Sequence, residues 1–298
     1  MPSELTREVL ALRGRRAQVH PARANAVIRE EEPTAEGVTV PTTTLLLAAA
    51  ECPLRCAMCD LWQHTLTTPT PPGATVEQIE TALAGQPRQG TIKLYNSGSF
   101  FDPRSVPVQD YRAIAEAVQG FDRVVVENHP RFGRRRMAAF ANLLAARLEI
   151  AVGLETVQTS MLRRLNKQMT RDDFDRFAAA LQSQSIDLRV FLMLKPPWTG
   201  EAEAVAWTLL SVRHAVACGA RHITIIPARS GNGWMEQRAR AGEFAPPSLR
   251  TLAEAVKRSQ HAVRQIGARC AVTADLWDVD AAADPEAYRQ LCEANRLG

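Results

Sequence analysis

The sequence predicts an α/β fold built on parallel strands, either a partial (β/α)6 TIM-like barrel or an open sheet. From Thr42 onward, short apolar runs alternate with stretches of helical periodicity, which gives six strand–helix units in order. The apolar runs are brief and uninterrupted, as in parallel strands that are buried on both faces. A polar or Gly/Pro-rich cluster follows each run, and in such folds the active site lies at the carboxyl ends of the strands.

The predicted strands and helices follow one another in a regular order. The six strand segments are TTTLLLAA, GTIKLYNSG, FDRVVVENHP, LEIAVGLET, IDLRVFLMLKPP and RHITIIPAR. The helical segments between them are TVEQIETALAG, VQDYRAIAEAVQG, RRRMAAFANLLAAR, TRDDFDRFAAALQSQ and EAEAVAWTLLSVRHAVACG, and a sixth falls within SLRTLAEAVKRSQHAVRQIG. No internal repeat or low-complexity segment interrupts this series, so one barrel or sheet accounts for most of the chain.

Short extensions are predicted on both sides of this core. Residues 1–38 form the N-terminal extension, residues 39–250 the barrel core, and residues 251–298 a C-terminal helix and strand extension. In the first, REVLALRGRR predicts a short helix and REEEPTAEG predicts a polar loop. In the last, ARCAVTADLWDVD predicts one more strand, which a short helix follows.

Composition limits the class of protein and its location. A chain of 298 residues, 46% of them hydrophobic, is long enough to bury a sizeable core. Its first residues contain no apolar signal-peptide segment, and no apolar run approaches the roughly 20 residues of a membrane span. We therefore expect a cytoplasmic protein with no membrane partner. A net charge of +4 permits RNA binding without indicating it, and the dense basic cluster RFGRRR at 131–136 is more typical of a solvated helix start.

Three cysteines are clustered after the first predicted strand. Cys52, Cys56 and Cys59 are spaced C-x3-C-x2-C within ECPLRCAMCDLW. Three readings are open. His64 would complete a Cys3His zinc site, although zinc ligands usually come as two separated pairs. The thiols would otherwise bind no metal, or hold a [4Fe–4S] cluster that leaves one iron without a protein ligand.

The other cysteines are scattered along the chain. Cys218, Cys270 and Cys292 form no second motif, which argues against an auxiliary iron–sulfur centre. In a reducing cytosol they are expected to be small buried hydrophobic residues or inert thiols.

A C-x3-C-x2-C motif directly after the first strand of an α/β barrel resembles the signature of radical S-adenosylmethionine (SAM) enzymes. Leu61 and Trp62 suit the bulky apolar place that follows the third cysteine in that superfamily. The resemblance implies a TIM-like barrel of the radical SAM type, with a [4Fe–4S] cluster bound by the three cysteines. It also implies that SAM, through its amino and carboxylate groups, binds the fourth iron.

Further segments resemble the superfamily's SAM-binding motifs. Ser97, Gly98 and Ser99 look like its glycine-rich motif for the SAM amine, where glycine lets the backbone come close. AVGLETVQTSMLRRLNKQMT is similar to the fourth-strand segment of the branch that contains coproporphyrinogen oxidases and the Elongator catalytic subunit. That likeness implies that Glu155 binds the SAM ribose and that Lys167, at a place where arginine is common, binds its carboxylate. Glu127 and Pro227, at two other strand ends, are expected to contact the cofactor as well.

Residues at the remaining strand ends are candidates for contact with the substrate. The predicted catalytic residues are Tyr95, Asn128, Lys195 and Arg229. Other candidates are Asn96, Asp102, Glu127, His129, Asn232 and Trp234. Taken alone, Tyr95, Asp102 and Trp234 each favour a structural role. Arg229 together with the glycine-rich loop 231–233 predicts a place for a phosphate or carboxylate, unless the loop is merely exposed.

A narrower resemblance links residues 40–250 to the archaeosine-forming radical SAM lyases of tRNA modification and to an uncharacterised bacterial group. It rests on KLYNSGSFFDPRSVP, LKPPW, GEFAPPSL, CDLW and VENHP. The superfamily likeness implies that the reduced cluster cleaves SAM to a 5′-deoxyadenosyl radical, which takes hydrogen from the substrate. We expect a small-molecule or nucleoside substrate and an external one-electron reductant of the flavodoxin or ferredoxin type. A tRNA-modifying lyase, with RNA as partner, and a non-catalytic iron–sulfur or zinc protein stay open.

Overall fold

The computed structural model describes residues 3–298 and has one sheet of eight strands with helices around it. The strands are β1 (Ala26–Pro33), β2 (Thr39–Leu46), β3 (Thr91–Tyr95), β4 (Arg123–Glu127), β5 (Arg147–Glu155), β6 (Asp187–Leu194), β7 (Ala220–Pro227) and β8 (Ala271–Ala274). The helices are α1 (Glu4–Ala11), α2 (Ala74–Leu83), α3 (Tyr111–Ala117), α4 (Arg134–Ala141), α5 (Thr159–Arg164), α6 (Arg171–Ser183), α7 (Glu201–Ala217), α8 (Trp234–Arg240), α9 (Leu249–Gln265) and α10 (Pro285–Leu297).

The strands lie side by side in chain order, from β1 to β8. The first pair, β1 and β2, is an antiparallel hairpin, and every later pair is parallel. At the gap between the two edge strands, the end of α10 packs against both of them. A Cβ atom added to Gly298 would lie 3.0 Å from Pro33 on β1 and 3.4 Å from Ala271 on β8. The sheet is thus curved into a nearly closed barrel.

The predicted fold class is confirmed, because the six predicted strand–helix units correspond to β2–β7 and the helices that follow them. The apolar core lies between the sheet and the surrounding helices. Strand β8 and helix α10 also match the extra strand and helix predicted for the tail. The proposed boundaries at residues 38 and 250 stay a prediction, since β1 and β8 lie beyond them and still belong to the same sheet.

One predicted loop is wrong. REEEPTAEG was expected to be a polar loop, but Arg29–Pro33 forms the second half of β1 and only the remaining residues turn back towards β2. The acidic side chains on this strand alternate between two environments. Glu31 is exposed, whereas the carboxylate of Glu32 reaches the inside of the barrel. The sequence predicted a loop because this stretch is polar and because the lysine and arginine residues that pair with it lie far away in the sequence.

The lower part of the barrel, at the amino-terminal ends of the parallel strands, holds a buried network of charges. Glu32 binds Lys93 at 2.7 Å and Arg189 at 2.8 Å. Arg189 also binds Glu149 at 2.8 Å, and Glu149 binds Arg123 at 3.0 Å. These ion pairs join β1 to β3, β4, β5 and β6. Charged pairs therefore fill an interior that is apolar in many barrels, and they form its floor.

No helix within residues 3–298 is long and apolar enough to cross a membrane.

Candidate functional site

The open interior of the barrel lies at the carboxyl ends of its strands. Seven side chains near this end of the strands are only partly buried. They are Leu46, Tyr95, Glu127, Phe191, Met193, Thr224 and Ile226. The rings of Tyr95 and Phe191 meet edge to face with centroids 6.0 Å apart, although β3 and β6 are not neighbours. This contact spans the interior and separates the charged floor below from an open mouth above.

The loop that carries the three cysteines leaves β2 at this mouth and is held by two distant segments. Asn166 donates from its amide to the carbonyl of Arg55 at 2.6 Å, and Ala57 N–H donates to the carbonyl of Leu165 at 2.8 Å. On the other side, the Asn232 amide donates to the carbonyl of Ala57 at 2.7 Å. These bonds fix the path of the loop without using any thiol.

Glu51 ties the start of this loop to the N-terminal segment. Its carboxylate binds Arg13 at 2.7 Å and Arg55 at 2.9 Å, and it also pairs with Arg16. Burial opposes ionisation of Glu51, but hydrogen bonds from Arg13 and Arg16 lower its pKa. The guanidinium of Arg13 also stacks over the ring of Trp62, 4.7 Å from its centroid. The sequence analysis missed this role because the arginines lie about 40 residues upstream, with no pattern that pairs them to Glu51.

The spacing of the thiols bears on the type of metal group they can hold. The Sγ atoms of Cys52, Cys56 and Cys59 do not all lie within 4.8 Å of one another. Tetrahedral zinc, with Zn–S bonds of about 2.3 Å, would place its sulfur ligands about 3.8 Å apart. A [4Fe–4S] cluster binds each thiolate to a different iron and takes a wider spacing. His64 is exposed and shares no such group with the cysteines, so the predicted Cys3His zinc site is not preformed.

The raised pKa values of the three thiols fit a loop that binds a positively charged metal group in place of the thiol protons. Burial raises the pKa of Cys52 to about 11, and it raises the pKa values of Cys56 and Cys59 as well. The charge of Lys167 acts in the opposite direction on Cys52 and Cys56. Bare thiolates are thus disfavoured here, and metal ligation is what would stabilise them.

The SGS segment packs directly on the cysteine loop. A Cβ atom at Gly98 would lie 3.4 Å from the Cβ atom of Cys52, an ordinary van der Waals contact, so this segment lies against the loop. Ser97 has a φ of 55°, in the left-handed region, which turns the backbone across the mouth. Glu127 holds the turn, because its carboxylate accepts the N–H of Asn96 at 3.1 Å, and the N–H groups of Ser97 and Gly98 also lower its pKa. Burial raises the pKa of Glu127 to about 7, against these hydrogen bonds, which lower it.

Glu155 and Lys167, which the sequence placed at the SAM site, form a buried ion pair. Lys167 Nζ lies 2.7 Å from Glu155 Oε1, and both residues are less than a tenth exposed. Burial acts to lower the pKa of Lys167, but the charges of Glu155 and Cys56 act more strongly in the other direction. The pKa is therefore raised above its usual value, and the ammonium stays charged. The pair therefore places one fixed positive charge next to the thiols.

Gly153 makes room for this pair. A Cβ atom at position 153 would lie 2.3 Å from Glu155 Oε1 and 2.7 Å from Lys167 Nζ. The pairing of β5 with β6 shifts register between Gly153 and Glu155, and Glu155 has a φ of 64°. This bulge turns Glu155 towards the mouth. The sequence analysis assigned Glu155 and Lys167 without a role for Gly153.

Asn128 and His129 support the backbone around the mouth. The Asn128 amide accepts from Phe101 N–H at 3.3 Å and donates to the carbonyls of His129 and Phe132. His129 Nε2–H donates to the carbonyl of Lys167 at 3.2 Å, and its Nδ1 accepts from Arg131 N–H at 3.3 Å. Burial lowers the pKa of His129 to about 3, and Lys167 lowers it further, which keeps the ring neutral. Both side chains are occupied by backbone partners in this structure.

Lys195 lies at the end of β6, with a φ of 59°. Its ammonium donates to the carbonyls of Ala245 and Pro246, at 2.9 and 3.3 Å, and pairs with Glu201 at 2.8 Å. It thereby attaches the segment before α9 to the start of α7. These contacts occupy the ammonium and describe a structural role.

The 229–233 loop differs from the anion site predicted for it. The N–H groups of Gly231 and Gly233 both donate to the carboxylate of Glu236, each at 2.6 Å, which leaves that amide pair occupied. Asn232 is buried and holds the cysteine loop. Arg229 remains partly exposed, between Asp60 at 3.8 Å and Asp275 at 3.6 Å.

The other predicted residues have simpler positions. Pro227 ends β7 and is half-buried at the mouth. Asp102 is buried and accepts the N–H of Arg104 at 3.0 Å. Trp234 is buried in a small apolar cluster with Val9, Ala57, Ala228, Met235 and Phe244, beneath the cysteine loop. Burial raises the pKa of Tyr95, which keeps its hydroxyl protonated.

Comparisons with known proteins were made at the level of sequence and of structure. No family model matches the chain. It is 27% identical over 273 residues to archaeosine synthase subunit beta of Methanosarcina acetivorans, covering 87% of this chain and 78% of that one. It is also 27% identical over 173 residues to an uncharacterised protein of Methanocaldococcus jannaschii, covering 56% of this chain. That alignment includes 47% of the archaeal protein, so this chain spans about half of its length.

Among solved structures, the fold is similar to that of methylornithine synthase, a radical SAM enzyme. The TM-score is 0.57 at 13% identity, and the likeness covers 100% of this chain and 78% of that one. The Elp3 protein of Methanocaldococcus infernus, with a TM-score of 0.45 at 12% identity, covers 67% of this chain and 60% of its own.

The fold resembles that of a radical SAM enzyme, and the resemblance predicted from the motifs is confirmed as a likeness. The similarity to archaeosine synthase subunit beta covers 87% of this chain and fixes no substrate.

Proposed function

We propose that the chain is a radical SAM enzyme that holds a [4Fe–4S] cluster on Cys52, Cys56 and Cys59 and binds SAM at the mouth of the barrel. One observation carries the proposal. Cys52, Cys56 and Cys59 lie on one loop that contacts Gly98, and the charged Glu155–Lys167 pair acts on the pKa of Cys56. When bound, the cluster and SAM supply a 5′-deoxyadenosyl radical for hydrogen abstraction.

The protein's own residues would bind and orient the cofactor. Lys167 offers an ammonium to a carboxylate, and Glu155 offers carboxylate oxygens to hydroxyl groups. The carbonyl groups of the 96–98 turn offer acceptors for an ammonium, while the N–H of Asn96 already donates to Glu127. Glu127 is thus proposed as a positioning residue, which differs from the direct contact expected from the sequence.

The substrate would enter from the mouth and stop at the Tyr95–Phe191 contact. This layer limits the depth of the site and keeps the reacting atoms away from the charged floor. Among the predicted catalytic residues, Tyr95 faces the interior and Arg229 stays partly exposed at the rim. The structural contacts of Asn128 and Lys195 make both weaker candidates for substrate contact. An external reductant of the flavodoxin or ferredoxin type would approach the exposed side of the cysteine loop.

The proposal is tested by anaerobic reconstitution with iron and sulfide. The wild type should bind about four irons per chain and show charge-transfer absorbance. With dithionite and SAM it should release 5′-deoxyadenosine slowly, even without substrate. The triple change of Cys52, Cys56 and Cys59 to Ala should abolish both results. In the matched control, Cys218→Ala with Cys292→Ala, both should persist. Stoichiometric zinc without charge-transfer absorbance in the wild type would contradict the proposal.

A second candidate substrate class is favoured by one comparison. The similarity to archaeosine synthase subunit beta extends over 87% of this chain. The name of that relative concerns a modified nucleoside, so a nucleoside, free or within RNA, is the alternative to a small metabolite. Incubating a cell extract with loaded enzyme, SAM and dithionite, followed by mass spectrometry of metabolites and digested RNA, would distinguish the two classes. A product that retains a nucleobase would support the nucleoside.

A further inference from the structure

A second group of metal-ligand side chains lies outside the barrel, between α6 and α7. His214 Nε2 lies 2.7 Å from Asp175 Oδ1, and the thiol of Cys218 lies 3.6 Å from the same oxygen and 3.8 Å from the ring nitrogen. Within residues 3–298, this is the only set of three or more such ligand atoms that lie within 4.8 Å of one another. The sequence analysis treated Cys218 as inert because its partners are not adjacent in the sequence.

We propose that Asp175, His214 and Cys218 form a binding site for a divalent transition metal ion of the zinc type. This site is separate from the proposed cluster, because it lies on the outer helices and shares no residue with the mouth of the barrel. Binding forms bonds from a thiolate, an imidazole nitrogen and a carboxylate oxygen to the ion, and the thiol proton passes to solvent.

The distances between the ligand atoms fit such an ion. At usual zinc bond lengths and tetrahedral angles, sulfur would lie about 3.6 Å from both oxygen and nitrogen, and nitrogen about 3.4 Å from oxygen. The observed separations involving sulfur, 3.6 and 3.8 Å, are within about 0.3 Å of these values. The separation of His214 from Asp175 must widen by about 0.7 Å, which a rotation of the half-buried carboxylate allows.

The helices hold two of the ligands in register before any ion binds. His214 is in the last turn of α7 and Cys218 is its C-cap, so four residues separate them and they share one helix face. Asp175 projects from α6 towards that face. The His214 ring also packs against Phe174, with centroids 6.1 Å apart, which restricts its orientation. The thiol adds a third ligand atom, within 3.8 Å of both the Asp175 oxygen and the His214 nitrogen.

The site is also accessible. A surface cavity of about 580 Å³ borders His214 and is lined by Gln158, Thr159, Arg171, Trp207 and Leu210 as well. Three protein ligands leave one position of a tetrahedral ion for water or for a ligand from this cavity. The ion would join α6 to α7, the two helices that flank β6 along the chain.

The test measures metal uptake by the full chain with Cys52, Cys56 and Cys59 replaced by Ser, which removes the competing thiols. We expect one equivalent of Zn²⁺, displaced competitively from a chromophoric chelator. His214→Gln and Cys218→Ser should each weaken binding at least about tenfold. The controls are His261→Gln on α9 and Cys292→Ser on α10, which change the same residue types away from the site. Both control variants should bind Zn²⁺ as tightly as the triple-serine variant itself. With Co²⁺, thiolate charge-transfer absorbance should disappear only in Cys218→Ser.

A second measurement does not depend on the triple-serine variant. In the wild-type chain treated with iron and sulfide, zinc should raise the thermal midpoint, and His214→Gln should abolish the increase while His261→Gln keeps it. The proposed site would be overturned if the triple-serine variant took up no zinc. It would also be overturned if His214→Gln and Cys218→Ser bound zinc as tightly as the two control variants. Neither outcome bears on the cluster, because the two tests use different thiols.

Discussion

Gly153 is the residue on which the geometry of the Glu155–Lys167 pair depends. Replacing it with Ala would insert a Cβ atom 2.3 Å from Glu155 Oε1 and 2.7 Å from Lys167 Nζ, so both charged groups must move. If the pair binds SAM, Gly153→Ala should retain its iron and sulfide but bind SAM about ten- to a hundredfold more weakly, as expected for a lost hydrogen bond to a charged group. Equilibrium dialysis with SAM measures this change.

Gly14→Ala is the matched control, because a Cβ atom at Gly14 meets nothing within 4 Å. This variant should bind SAM as the wild type does. Unchanged SAM affinity in Gly153→Ala would show that the pair lies outside the cofactor site.

Glu127 predicts a pH dependence of stability. Its pKa is raised from 4.5 to about 7 in the folded protein, so the folded state holds the proton more tightly than the unfolded state. Its contribution to stability is therefore full below about pH 4.5 and is lost as the pH rises through about 7. The free energy of unfolding should fall by up to about 3 kcal/mol from this group over that window.

Glu127→Gln should remove that part of the pH dependence, since the amide does not titrate. Urea unfolding at a series of pH values, compared with Glu116→Gln at an exposed position on α3, measures the difference. Parallel pH profiles for wild type and Glu127→Gln would contradict the raised pKa.

Strand β1 is the element whose stability depends most on distant partners. Glu32→Ala would leave Lys93 and Arg189 without a buried carboxylate that each now contacts within 3 Å. Breaking one partner of a buried ion pair costs about 3–5 kcal/mol, because the remaining charge stays desolvated. We expect a loss of that size in the free energy of unfolding, measured with urea.

The neighbouring residue supplies the control for this element. Glu31 lies on the same strand but is exposed, so Glu31→Ala should change stability by less than about 0.5 kcal/mol. Equal effects of the two substitutions would show that the network at the floor of the barrel is not what stabilises β1.

At the scale of the whole molecule, the distribution of charge provides a test for RNA binding. Arg134 and Arg135 are exposed at the start of α4, on the side of the barrel mouth. Arg136, which the sequence grouped with them, donates to the carbonyl of Phe101 at 2.9 Å and is thereby occupied. If RNA binds here, the double variant Arg134→Ala, Arg135→Ala should flatten the salt dependence of affinity by about 0.7–0.9 per lost phosphate contact.

The control for this test removes two exposed arginines from the other end of the barrel, with Arg264→Ala and Arg269→Ala. Filter binding with total tRNA over a range of salt concentrations measures both slopes. A small-molecule enzyme should show weak binding and no difference between the two double variants.

The sequence by itself determined the order of strands and helices along the chain and the position of the cysteine loop. These features are local: apolar runs of strand length, helical periodicity and C-x3-C-x2-C spacing can all be read within a few residues. The convergence of strand-end clusters on one edge followed from the rule that parallel strands share a direction. Cys52, Gly98 and Glu155 could therefore be assigned to one site before the structure was known.

Only the tertiary structure decided which side chains are free at that site and which hold the backbone. Asn232 reaches the cysteine loop across 175 positions of sequence, and Arg189 reaches Glu32 across 157. No local pattern specifies such contacts, because they depend on how the closed sheet brings separate strand ends and edges together. For the same reason, the sequence read the second half of β1 as a loop, and it could not show that the Lys195 ammonium contacts backbone carbonyls. The grouping of Asp175, His214 and Cys218 likewise exists only after α6 and α7 pack side by side.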